Sequence, residues 1–157
     1  MSHYQQTLAL KASPAAVYAA LTTPEGLRGW WTQDCDVPTE IGQTLHFRFG
    51  RTHKDMRIEH LVPGREVRWH CKGAHIAAAK IAVKDEWVGT DLVFRLTPDA
   101  VDNEGRTRLD FEHIGLVPAF ECYDLCRNGW QYFLGSLQQL VETGRGTPFE
   151  VELAAAE

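Results

Sequence analysis

Apolar and polar residues alternate with period two in several short runs of this chain. Leu45, Phe47 and Phe49 alternate with His46, Arg48 and Gly50, and Met56, Ile58 and His60 with Asp55, Arg57 and Glu59. Val67, Trp69 and Cys71 alternate with Arg68 and His70, and Leu92, Phe94 and Leu96 with Val93 and Arg95. Thr107, Leu109, Phe111 and His113 alternate with Arg108, Asp110 and Glu112. Successive side chains of a strand point to opposite faces, so each run predicts a half-buried strand. Pro63-Gly64 predicts a hairpin between the second and third runs. Tyr4 to Leu10 reads as an earlier strand, and residues 99–105 as a polar loop joining the last two.

Helical signals bracket these strands. Ser13-Pro14 supplies an N-cap hydroxyl and a proline preset for the first helical position, and Thr23-Pro24-Glu25 repeats the signal. Two short helices are therefore expected, the second ending near Trp30-Trp31. A long helix is expected from about Pro118 to Thr143. Its Cys122, Cys126, Trp130, Phe133, Leu137 and Leu140 recur at helical spacing as one apolar stripe, and Gly144 suits a C-cap. Residues 73–86 have an Ala-rich middle that fits a short helix as well as a loop. The order predicts one α+β domain over 1–144, with 145–157 as a C-terminal tail. A curved antiparallel sheet would wrap the long helix and leave space between them.

Composition narrows the function. Sixteen Lys and Arg against 21 Asp and Glu leave a net charge of −5, which disfavours nucleic acid and anionic membranes as partners. No apolar run approaches the ~20 residues of a membrane span, and the N-terminus has no signal-peptide pattern, so a cytoplasmic address is expected. Cys122 and Cys126, four residues apart, read as small buried apolar residues, and Cys35 and Cys71 have no partner spacing. No phosphate-binding glycine loop, nucleophile elbow or zinc motif occurs, and neither metal nor cofactor is expected.

Four segments carry a family resemblance. They are Ser13 to Glu25 (SPAAVYAALTTPE) with Trp30-Trp31, Ile58 to Trp69 (IEHLVPGREVRW), Trp87 to Phe94 (WVGTDLVF), and His113 to Leu116 with Gly129-Trp130 and Leu137. In this order the chain resembles the activator-of-heat-shock-protein-90-ATPase homologue (AHSA-like) family of the START-like, SRPBCC or Bet v 1-like superfamily. The resemblance implies a helix-grip fold and a cavity, not a particular reaction. The eukaryotic co-chaperones of that family carry an additional upstream domain, and their role is not expected here.

Alternation and the helical stripe nominate the cavity-facing side chains: Trp30, Phe47, Phe49, Met56, Ile58, His60, Trp69, Phe94, Leu109, Phe111, His113, Cys126, Trp130 and Phe133. Such rings fill a core or line an apolar pocket. His60 and His113 are the two ionisable groups on that register, as polar handles or as acid/base groups, against the plainer reading of satisfied core or rim histidines. Three functions stay open. The first is a binding module for an apolar ligand, aromatic or lipid-like. The second is a polyketide cyclase/dehydratase-like enzyme using His60 or His113. The third is a protein-interaction or stress-response domain. A homodimer is compatible with each.

Overall fold

In a computed structural model that describes residues 3–99 and 105–150, the start signals act as capping chemistry demands. Ser13 Oγ accepts from the Ala16 amide at 3.1 Å and opens α1 (Pro14–Thr22). Thr23 closes α1 and opens α2 (Pro24–Trp30), its Oγ1 accepting from the Gly26 amide at 3.0 Å and donating to the Ala19 carbonyl at 2.8 Å. The corner is tight because position 26 lacks a side chain: a Cβ there would stand 2.5 Å from Ala20 Cα.

Seven strands form one antiparallel sheet in the order β1-β7-β6-β5-β4-β3-β2. They are β1 (Tyr4–Leu10), β2 (Asp34–Asp36), β3 (Thr44–Phe49), β4 (Thr52–Val62), β5 (Glu66–His75), β6 (Asp91–Pro98) and β7 (Thr107–Ile114). The period-two runs became β3 to β7. The three-residue β2 carried no such pattern and was not expected. Residues 76–90 form a loop rather than a helix. Of the polar loop expected at 99–105, residues 100–104 lie outside the described ones.

One face of the sheet is wet and charged, with Arg95 bridging to Glu112 at 2.6 Å and Arg68 to Asp91. The other face lies against α3 (Tyr123–Thr143). This is the α+β architecture that the order of elements predicted, and the helix-grip fold that the resemblance implied. Its interior holds Trp30, Trp31, Phe47, Trp69, Phe94 and Phe111, all less than 2% exposed. Each such ring contributes about 1.5–3 kcal/mol by leaving water.

The long helix starts at Tyr123 rather than Pro118 for a local reason. The Glu86 carboxylate accepts from the Glu121 and Cys122 amides, both at 3.0 Å, and so caps the helix from the 76–90 loop. The Glu121 carboxylate in turn accepts from the Ala82 and Val83 amides of that loop. At the far end Gly144 takes φ +89° and donates to the Leu140 carbonyl at 2.8 Å, as a left-handed C-cap does. The chain then turns back. Thr147 N donates to Ser136 Oγ at 2.7 Å, and Phe149 exchanges backbone bonds with Trp31 and Gln33. Residues 145–150 thus pack on the domain, while the remainder of the expected tail, 151–157, lies outside the described residues.

Candidate functional site

The loop and the returning tail enclose a partly open cavity of about 500 Å³ at the β3–β4 end of the sheet. Phe49, Arg51, Thr52 and Lys54 form its floor, and Ile76, Ala77, Ala78 and Trp87 one wall. Leu125, Cys126, Gly129, Trp130 and Phe133 come from the first half of α3, and Trp31 and Phe149 close the side. Six of these residues are aromatic. Trp31 is the hub, with ring centroids 5.3 Å from Trp130 and 5.6 Å from Phe49. Trp87 stacks on Trp130 at 5.8 Å, and Phe149 meets Phe49 at 5.7 Å. From the α1–α2 corner only Trp31 reaches the cavity. A second cleft, about 430 Å³ and lined by Arg28, Arg145 and Glu150 among others, has no aromatic lining residue among the described ones.

Of the residues nominated from sequence, Phe49, Cys126, Trp130 and Phe133 line the cavity. Trp30, Phe47, Met56, Ile58, Trp69, Phe94, Leu109 and Phe111 lie behind it as core. Trp30 donates its indole N–H to the Ala20 carbonyl at 2.8 Å and stacks on Trp31.

His60 does not face the interior. The β4–β5 register shifts between Ile58 and His60, so that Ile58 pairs with Trp69 but His60 with Arg68. This bulge puts Leu61 opposite Val67 and turns His60 outward, with 64% of its side chain exposed and Glu66 3.8 Å away.

His113 is fully buried, yet its ring is spent on structure. Thr90 Oγ1 donates to the Trp87 carbonyl at 2.6 Å and so offers a lone pair to His113 Nε2–H at 2.9 Å. His113 Nδ1 accepts the Trp130 indole N–H at 3.0 Å. The network fixes the neutral Nε2–H tautomer and leaves no lone pair for a substrate. Burial, then the charges of Lys54 and His3, push its pKa well below the usual histidine range.

Lys54 is a charged group that does line the cavity. Its ammonium lies 4.1 Å from the Trp87 ring centroid, 4.7 Å from Phe49 and 5.8 Å from Trp31. Burial pushes its pKa down, partly offset by the thiols of Cys126, Cys71 and Cys122. Its parity with Met56 and Ile58 marks the position in the sequence. Beside it, Cys126 Sγ accepts the Trp87 indole N–H at 3.1 Å. The Cys122 thiol, the Lys54 charge and that N–H favour the Cys126 thiolate against burial. Among the described residues no three His, Cys, Asp or Glu side chains cluster as metal ligands.

Residues 11–142 match the family model described as activator of Hsp90 ATPase homolog 1-like protein. The chain belongs to this family. Its fold matches the solution structure of the Aha1 dimer from Colwellia psychrerythraea with a TM-score of 0.75 and 31% identity, over 93% of this chain and 100% of that one. DynU16, encoded in the dynemicin biosynthetic locus, matches at a TM-score of 0.67 and 20% identity, over 90% of this chain and 48% of that one. Protein CV1439 from Chromobacterium violaceum matches at 0.65 and 22%, over 90% of this chain and 99% of that one. The last two similarities speak for the fold alone. A comparison with curated proteins finds no match. No helix among the described residues is long and apolar enough to cross a membrane.

Proposed function

We propose that this AHSA-family domain is a binding module that holds an apolar small molecule, aromatic or lipid-like, between the β3–β4 end of the sheet and α3. The observation that carries the reading is the cavity of about 500 Å³ walled by six aromatic residues. That volume and lining fall in the range of small-molecule sites, and flat rings suit a planar or acyl body. The histidine-based cyclase reading lacks comparable support, because His60 faces solvent and both nitrogens of His113 are engaged. The four free thiols suit a reducing, cytoplasmic setting. A homodimer is also proposed, by analogy with the Colwellia Aha1 dimer, and sedimentation across a concentration series tests it.

Native mass spectrometry of the purified protein, followed by denaturing extraction, tests the binding reading. A stoichiometric apolar adduct is the expected result. A protein that arrives empty and takes up no apolar probe would shift the case to an interaction domain whose cavity is incidental.

A further inference from the structure

Lys54 makes the cavity chemically uneven. Among the described residues its two charged lining residues, Arg51 and Lys54, are both cationic, and no Asp or Glu lines it. Among the described residues no carboxylate or carbonyl accepts from the Lys54 ammonium, which is held against ring faces with the thiols of Cys71, Cys122 and Cys126 near it. An ammonium carries three donors, and ring faces satisfy part of its electrostatic need but accept no conventional hydrogen bond. A wholly apolar ligand would remove water from those donors and return nothing.

Building on the pocket reading, we infer that the ligand is an amphiphile with an anionic head, a carboxylic acid on an aromatic or acyl body, whose carboxylate lies against Lys54. The body then occupies the space among Trp31, Trp87, Trp130 and Phe133. Arg51 adds a second positive charge to the same cavity.

The pairing is linked to protons. Lys54 is faced by the thiols of Cys71 on β5 and of Cys122 and Cys126 on α3, by neutral His113 on β7 and by Arg51 on the β3–β4 turn. Burial lowers the Lys54 pKa in the empty cavity, and a carboxylate beside the ammonium raises it again. Above the empty-cavity pKa of Lys54, each acid bound draws one proton from solution. Affinity for the acid therefore falls as pH rises, while affinity for a neutral analogue stays flat.

Calorimetry with naphthaleneacetic acid and naphthaleneethanol, on wild type and Lys54→Met, tests this. Wild type is expected to bind the acid at least about tenfold more tightly than the alcohol, the scale of one charge-assisted hydrogen bond. Lys54→Met is expected to erase that preference and keep the alcohol. Equal binding of the two probes by wild type, or an acid preference that survives in Lys54→Met, would overturn the inference while leaving the pocket reading intact. Failure of both probes to bind wild type would overturn the two together. Should Lys54→Met not fold, proton uptake by wild type in two buffers decides: uptake with the acid alone supports the pairing, and none across the pH range refutes it.

Discussion

Gly129 offers the sharpest separation of folding from binding. It lies inside α3, lines the cavity, and a Cβ built on it would meet no heavy atom within 4 Å. Glycine in a helix interior costs roughly 0.5–1 kcal/mol relative to alanine. Gly129→Ala should therefore raise stability by about that amount, or roughly 1–4 °C in Tm for a domain of this size. Gly135 is a control, since it lies in the same helix, is equally uncrowded, and does not line the cavity. Gly135→Ala should give the same gain. The two positions part with a larger side chain. Gly129→Phe places about seven heavy atoms where a ligand would sit, and at roughly 0.3 kcal/mol per ligand atom displaced the loss is about 2 kcal/mol, or roughly thirtyfold in Kd. Thermal melts and calorimetric titration with naphthaleneethanol read the two effects separately. A Gly129→Phe protein that melts near wild type and still binds the probe with unchanged Kd would refute the placement of the site.

His113→Ala removes the acceptor of a buried indole N–H and opens a cavity, so a loss of about 3–5 kcal/mol is expected, read as a Tm drop of at least about 6 °C. His60→Ala changes an outward side chain and should alter stability by less than about 0.5 kcal/mol and probe affinity not at all, whereas a lost affinity would restore His60 to the site. Glu112, held down to about 2 by His3 and Arg95, is lowered from 4.5, so its contribution is complete above pH 4.5 and drains as pH falls towards 2. After screening this amounts to about 1 kcal/mol, and urea melts from pH 7 to pH 3 should show a shallower acid limb in Glu112→Gln.

The fold was legible because its elements announce themselves through short-range chemistry. Ser13-Pro14 and Thr23-Pro24 capped helices where capping rules put them, and period-two runs became strands. The site was legible where simple periodicity survived. It carried Phe49 into the cavity, but the bulge beside Glu59 reversed His60, and no propensity encodes a bulge in a run that alternates so cleanly. The helical stripe carried Cys126, Trp130 and Phe133 to the cavity as well, with Leu134 in the core beside them. Lys54 shared the inner parity of Met56 and Ile58, but a charged residue on an apolar register reads as a strand end. Trp87 and Phe149 reach the cavity from a loop and a returning tail, where periodicity carries no information. Their placement depends on long-range contacts, Glu86 with the α3 amides and Phe149 with Trp31.

The most direct test of the central claim is an NMR titration with naphthaleneethanol that follows the assigned indole and backbone N–H signals. Binding in the aromatic cavity predicts saturable shifts at the Trp31, Trp87 and Trp130 indoles and the Gly129 amide, with Trp30 behind them little changed. Shifts confined to the Arg28–Arg145 cleft, or none at all, would contradict the account.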